Sequence, residues 1–115
     1  MKKVSKIAIL LLLTLIFVGC DYAVVRSYTV TYQICGNSQE IDVRYLDSNG
    51  QYRNDSVVTP FVYRFKAYSG DHLHIKAVNK EFIPDEIRMY ILKNGKRLKS
   101  RSTQSNEIIE LEHYL

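Results

Sequence analysis

Apolar and polar residues alternate along most of the chain after residue 26. The first row consists of Tyr28, Val30, Tyr32 and Ile34, which would share one face of a strand. Such a period of two is typical of a half-buried β-strand. We therefore predict a strand over residues 27–34, with its apolar row facing the core.

The same alternation recurs towards the end of the chain. The further rows predicted to point inward are Ile41, Val43, Tyr45; Phe61, Tyr63, Phe65, Ala67; Leu73, Ile75, Ala77; Ile87, Met89, Ile91; and Leu98, Ile109, Leu111. Turn sequences separate these rows. Asn49-Gly50 predicts a hairpin with a type I′ turn, since Asn and Gly tolerate positive φ. The segment 51–59 is more variable and predicts either an edge strand or an irregular crossing, and Pro60 suits a strand start or an edge.

These patterns together indicate one all-β domain over residues 27–115. No run of ten or more residues shows helical periodicity with caps. We expect an immunoglobulin-like antiparallel β-sandwich of about seven strands, with a small β-barrel as the alternative. The last two strands, 96–103 and 107–114, are predicted to form a hairpin. Asn94-Gly95 would end the strand before them.

The first nineteen residues have a different character and predict a lipoprotein signal peptide. Lys2, Lys3 and Lys6 precede twelve residues, 7–18, that are apolar apart from Thr14. A basic start, a short apolar core and a small residue at the cut describe a secretory signal. A retained transmembrane anchor is the weaker alternative, because spanning a bilayer takes about 20 apolar residues.

Residues 16–20, Ile-Phe-Val-Gly-Cys, resemble the lipobox of bacterial lipoproteins. The resemblance implies cleavage between Gly19 and Cys20 and acylation of Cys20, for example with palmitate. Phe17 stands where that family usually has Leu. Ordinary secretory cleavage, with Cys20 an incidental thiol, is the alternative. Two or more acyl chains would anchor the protein stably, with residues 20–26 as the lipidated tether.

Removal of the signal peptide changes the charge of the chain. The formal net charge is +4, and loss of the three lysines leaves +1. This small charge gives no support for nucleic-acid binding, which needs a basic face. Cys35 would then have no partner for an internal disulfide, and we interpret it as a tolerated free thiol.

Few residues suggest chemistry. His72 and His74 would share one strand face, but no third ligand stands at metal-binding spacing, so we expect a solvated strand face and no metal. The turn at 47–50 begins like a calcium loop yet lacks its closing glutamate. No catalytic residues, cofactor or small-molecule substrate can be identified. We predict a binding protein that is not an enzyme.

Two surface patterns could mediate contacts. A basic run could touch acidic lipid headgroups or a partner, or it could pair across strands with Glu107, Glu110 and Glu112. The run consists of Lys93, Lys96, Arg97, Lys99 and Arg101. Exposed tyrosines could form a binding face; they are Tyr52, Tyr68, Tyr90 and Tyr114.

Several segments carry a family resemblance. They are 28–34 with Gly36, 41–45 with Gly50, Thr59-Pro60-Phe61, 65–67 with Gly70, 73–77 and 91–96. Together they resemble the small MmpS-like membrane-anchored proteins and related bacterial lipoproteins with an immunoglobulin-like sandwich. That family often has Pro-Trp where this chain has Pro60-Phe61. The resemblance implies an accessory role in an envelope transport complex and brings no catalytic residues.

We therefore expect a lipid-anchored protein that faces the periplasm or the cell exterior. Its partners would be the membrane, through Cys20, and an envelope protein. The first hypothesis is an accessory or scaffold subunit of an envelope transport complex. The alternative is a surface-exposed adhesin or ligand-binding module.

Overall fold

The computed structural model of the protein describes residues 26–115, which form eight β-strands. The strands are β1 (Ser27–Cys35), β2 (Glu40–Leu46), β3 (Tyr52–Val58), β4 (Phe61–Tyr68), β5 (His72–Asn79), β6 (Ile87–Lys93), β7 (Lys96–Thr103) and β8 (Ile109–Tyr114). The predicted all-β class is confirmed. The strand beyond the expected seven is β3, which occupies the variable segment and pairs only with β2, as an edge strand does.

The strands form two antiparallel four-stranded sheets. Sheet I has the order β4-β1-β6-β7, and sheet II has the order β3-β2-β5-β8. The two sheets do not close on each other, so the fold is a β-sandwich and not a barrel. Pro60 directly precedes β4, which is an edge strand of sheet I, so its missing N–H interrupts no central ladder.

The inward rows of both sheets make one core. Its fully buried members come from β1, β2, β5, β6 and β8 and include Val30, Tyr32, Ile34, Ile41, Leu73, Ile75, Met89, Ile91 and Ile109. The row on β4 is half-buried apart from Ala67, and Leu98 on β7 packs against the core from the edge of sheet I. Period-two alternation therefore identifies the core face correctly in each of these strands.

Tyr32 ties the two sheets together through a hydrogen bond. Its side chain is fully buried, and its hydroxyl accepts a hydrogen bond from the backbone N–H of His74 on sheet II, at 3.2 Å. The β2–β5 ladder ends at the pair Tyr45 and Ile75, one residue away. The Tyr32 hydroxyl therefore provides an acceptor for the backbone N–H of His74 at the point where the pairing of β2 with β5 stops. Burial raises the pKa of the Tyr32 hydroxyl far above its usual range, so this group stays protonated.

The two Asn-Gly turns differ in geometry. Asn94 and Gly95 both have positive φ, 50° and 79°, as a type I′ turn requires. At the first turn only Gly50 has positive φ (74°), so the hairpin is confirmed but its predicted type I′ turn is wrong. Asp47 explains the difference, because its carboxylate accepts hydrogen bonds from the backbone N–H groups of Asn49 and Gln51. Arg53 also binds this carboxylate, at 3.1 Å.

The predicted terminal hairpin is wrong. β7 pairs with β6 in sheet I, whereas β8 pairs with β5 in sheet II. The segment 104–108 carries the chain from one sheet to the other. Consequently Glu110 lies opposite Lys76, and Glu112 lies opposite His74. Glu110 and Glu112, two of the glutamates predicted to pair with the basic run, therefore lie opposite the strand that carries both histidines.

Candidate functional site

The lipidation motif lies outside the described residues. Gly19, Cys20 and most of the tether precede residue 26, so the structure describes neither the cleavage site nor the lipidated thiol. No helix among residues 26–115 is long and apolar enough to cross a membrane. The described chain enters at Arg26, whose carbonyl accepts a hydrogen bond from the backbone N–H of Ser69.

The sandwich has two distinct ends. The end where Arg26 enters is called the proximal end, and it also holds the turns at 69–71 and 94–95. The opposite end is called the distal end, and it holds the connections at 36–39, 59–60, 80–86 and 104–108. An eight-residue strand such as β5 spans about 25 Å between the two ends.

The most exposed large apolar side chains lie at the distal end. Phe82 and Ile83 are 97% and 82% exposed at the tip of the loop between β5 and β6. Ile108, before β8, is 63% exposed. We call Phe82 and Ile83 the distal tip. Two adjacent apolar residues between Glu81 and Pro84, in a loop that is otherwise charged, are the available sequence signal, but a search for alternating strands passes over them.

A buried polar network fixes the base of this loop. The Asn79 side chain is 1% exposed, and its Nδ2 donates to Oε1 of Gln39 at 2.6 Å and to the carbonyl of Asp85 at 3.2 Å. Gln39 Oε1 also accepts from the backbone N–H of Asp85, and Asn79 Oδ1 accepts from that of Glu81. Both ends of the loop are therefore bound to the same pair of amides. Satisfied buried networks of this kind hold a backbone rigid.

Neighbouring segments brace the loop from outside. The side-chain amide of Asn106 donates to the carbonyls of Asn79 and Glu81, at 2.8 and 3.0 Å. The backbone N–H of Lys80 donates to the carbonyl of Glu40, while Glu81 Oε1 accepts from the N–H of Glu40. The loop thus has contacts to β2 and to the segment before β8, and only its tip projects.

Carboxylates surround the distal tip. Five acidic residues lie on the loop or beside it, namely Glu40, Glu81, Asp85, Glu86 and Glu107. The basic residue on the loop and the one that follows it on β6 are both ion-paired: Lys80 is 3.5 Å from Glu40, and Arg88 is 2.8 Å from Glu86. The Arg88 guanidinium holds the pKa of Glu86 below its usual range. The rim of the tip therefore carries excess negative charge.

The outer face of sheet II brings together a second cluster. His74 Nδ1 lies 2.7 Å from the Tyr52 hydroxyl, and its Nε2 lies 2.8 Å from Oε2 of Glu110. An imidazole protonated at Nε2 satisfies both contacts, accepting from Tyr52 and donating to Glu110. The bond from His74 lowers the pKa of Glu110. The predicted solvated face is therefore wrong for His74, whose side chain is only 12% exposed.

His72 continues this cluster towards the proximal end. Its ring stacks on Tyr114 with a centroid distance of 4.4 Å, and its Nε2 lies 3.3 Å from Glu112 without hydrogen-bond alignment. Within the part of the chain that the structure describes, no three His, Cys, Asp or Glu side chains are arranged to hold a metal ion. Cross-strand contact with β8, which the sequence did not predict, explains why both histidines are only partly exposed.

A shallow groove of about 450 Å³ lies beside this cluster on sheet II. Its lining includes Asp42, Arg44, Asn54, Lys76, Val78 and Ile108. Arg44 lies directly opposite Lys76 across the β2–β5 pair, and its guanidinium stacks over the Tyr52 ring at 4.3 Å. Glu110 lies 3.5 Å from Lys76 and offsets the repulsion between these like charges. The groove, which Asp42 and Asp55 also line, therefore carries charges of both signs.

The basic run does not pair with glutamate side chains as one alternative predicted. Lys99 and Arg101 lie opposite Ile91 and Met89 on β6, and the Lys99 amine binds the backbone carbonyl of Glu112 at 2.6 Å. Lys93 lies 4.1 Å from the centroid of the Tyr28 ring. Four of the five residues of the run thus lie on β7, the edge strand of sheet I, and Lys93 is the last residue of β6. The run remains a candidate contact surface.

The four tyrosines do not form one binding face. Tyr52 and Tyr114 flank the histidines on sheet II, whereas Tyr68 and Tyr90 belong to β4 and β6 of sheet I. Tyr90 is also covered by the Arg97 guanidinium at 4.7 Å. Cys35, at the end of β1, is half-buried and makes no disulfide within the described residues.

Comparison with known proteins adds no assignment to this geometry. No protein-family model matches the chain, and no curated protein sequence is significantly similar to it.

Proposed function

We propose that this chain is a lipid-anchored extracytoplasmic binding protein that serves as an accessory subunit of an envelope complex. Its sequence supplies the anchor at Cys20, seven positions before the first residue of β1. The observation that carries the proposal is that the two ends of the domain differ. The chain enters at the proximal end, and the exposed apolar tip lies at the distal end.

This difference between the two ends suits a tethered binding domain. A lipid on Cys20 holds the proximal end near the bilayer, and the distal tip then faces away from it. The protein contacts its partner with preformed surface and performs no chemistry. The resemblance to MmpS-like proteins, which covers most of residues 28–114, supports an envelope transport complex as the setting.

The anchor is tested by labelling cells with an alkyne analogue of palmitate. The native chain incorporates the label and fractionates with membranes, whereas Cys20→Ser remains an unlabelled precursor that retains residues 1–19. Cys35→Ser is the matched control and labels normally. Normal processing of Cys20→Ser without loss of membrane attachment would refute the lipoprotein assignment.

The binding role is tested by crosslinking in intact cells, followed by purification of the membrane-extracted protein. We expect discrete adducts with an envelope protein. If only the monomer is recovered under conditions that crosslink a known envelope complex, the accessory-subunit role is refuted.

A surface-exposed ligand-binding module is the second candidate. The groove on sheet II favours it, because charged side chains of both signs, Arg44 and Lys76 with Asp42 and Asp55, line a cavity of about 450 Å³. Protease digestion of intact cells separates the two: the module on the cell surface is degraded, whereas the accessory subunit inside the envelope is protected.

A further inference from the structure

The distal tip is the part of the surface that the fold itself does not explain. Phe82 and Ile83 contribute to no core, and loops in this position are normally polar. Single exposed apolar residues are common on proteins, but two adjacent side chains that are 97% and 82% exposed form a patch that indicates an interaction site.

The loop holds these side chains in a defined place. Asn79 and Gln39 are buried polar residues whose hydrogen bonds close the base of the loop, and Asn106 braces one side. Pro84, directly after the tip, restricts the backbone further. A rigid apolar projection loses little conformational freedom when it binds, which favours docking into a preformed pocket.

Two features argue against a bilayer as the occupant. The tip lies at the end of the domain opposite the tether, about 25 Å from the end at which Arg26 enters. The rim is acidic, whereas segments that insert into anionic membrane surfaces are rich in Lys and Arg. The same acidic rim complements a basic border on a protein.

We propose that the distal tip is a docking element that inserts Phe82 and Ile83 into an apolar pocket of an extracytoplasmic protein, with basic residues around that pocket. This inference rests on the proposed binding function and adds the surface and the chemistry of the partner. Phe82 is the anchor of the contact, and the surrounding carboxylates set its orientation and its salt dependence.

The position of the contact is tested in cells with a benzophenone amino acid in place of Phe82 in the full-length chain. Irradiation gives a protein adduct whose crosslinked peptide belongs to an extracytoplasmic protein. The same probe in place of Tyr68, which is exposed at the proximal end of β4, does not give that adduct. Adducts with lipid alone, or with a second copy of this chain, would overturn the proposal.

The energetics are tested with the crosslinked protein after purification. Phe82→Ser weakens its binding at least 30-fold, as loss of a central aromatic anchor does. Val62→Ser, which removes an exposed apolar side chain from β4, changes it less than twofold. Glu107→Lys weakens binding and reduces its dependence on ionic strength. Equal thermal stability of the variants shows that the loss is not due to unfolding.

The outcomes separate this inference from the proposed function. If general crosslinking captures a partner whose affinity is unaffected by Phe82→Ser, the docking proposal fails and the binding function stands. If no partner is captured from any position on the chain, the binding function itself fails.

Discussion

Removal of the Tyr32 hydroxyl tests the link between the two sheets. Tyr32→Phe keeps the buried ring, whose centroid lies 5.1 Å from that of Phe65 and 5.9 Å from that of Tyr45. It removes only the acceptor that serves the backbone N–H of His74 at 3.2 Å. Leaving one buried donor unpaired costs about 1–3 kcal/mol. A domain of this size loses about 5 °C of Tm for each kcal/mol, so we expect a decrease of about 5–15 °C.

The measurement is thermal and urea unfolding of the detergent-solubilised protein at neutral pH, followed by circular dichroism. Tyr63→Phe is the matched control, because the Tyr63 hydroxyl makes only a 3.5 Å contact with the exposed N–H of Ser48. We expect that control to stay within about 0.5 kcal/mol of wild type. A Tyr32→Phe protein as stable as this control would refute the role assigned to the hydroxyl.

Tyr32→Phe should also change how the stability of the domain depends on pH in the alkaline range. Burial raises the pKa of Tyr32 in the folded state, whereas an unfolded tyrosine titrates near 10. The unfolded chain therefore releases this proton first, and stability that is constant below pH 10 falls as the pH rises above it. Tyr32→Phe should lose less stability than wild type between pH 9 and 11. A parallel loss in both proteins would show that this phenol does not contribute.

Three further predictions concern other contacts. Hydrogen bonds lower the pKa of Asp47, and the one from the N–H of Gln51 has the largest effect. The stability that the Asp47 carboxylate contributes is therefore present above pH 4 and is lost as the pH falls. Asp47→Asn should lower Tm at pH 7 and flatten the acid side of the plot of stability against pH; an unchanged acid side would contradict this. In Gly36→Ala, the new Cβ would lie 2.7 Å from Oγ1 of Thr59. We therefore expect the free energy of unfolding, measured in urea, to fall by about 1–3 kcal/mol. Stability equal to that of wild type would show that Thr59 moves freely. In a Cys35→Ser background, cysteines at the opposed positions of Lys76 and Glu110 should form a disulfide on oxidation. Cysteines at Ser100 and Glu110, which the predicted terminal hairpin would place opposite each other, should not; the reverse result would restore that hairpin.

The core could be predicted from the sequence because burial and strand periodicity are local properties. The row Ile87, Met89, Ile91 points inward wherever β6 pairs, since successive side chains alternate between faces. Partner choice is not local in this way. Glu110 can neutralise a lysine on either β5 or β7, so charge alone does not distinguish the two pairings, and the sheet change at residues 104–108 decides between them.

The candidate site was harder to predict for the same reason. The exposure of Phe82 depends on Gln39 and Asn106, which lie more than twenty residues away along the chain and hold the loop in place. The contact of His74 with Tyr52 and Glu110 likewise combines three strands. The pattern of a single strand or loop therefore reveals neither the distal tip nor the partial burial of His74.

The basic run on β7 has a consequence for molecules that share a membrane. β7 is the outer strand of sheet I, and its exposed backbone could pair with the same strand of a neighbour. Lipid attachment, as we propose, confines copies to two dimensions and raises their encounter rate. Lys96, Arg97, Lys99 and Arg101 give each such edge the same positive charge, so approaching edges repel each other. The run therefore allows dense display on a bilayer without strand-to-strand polymerisation.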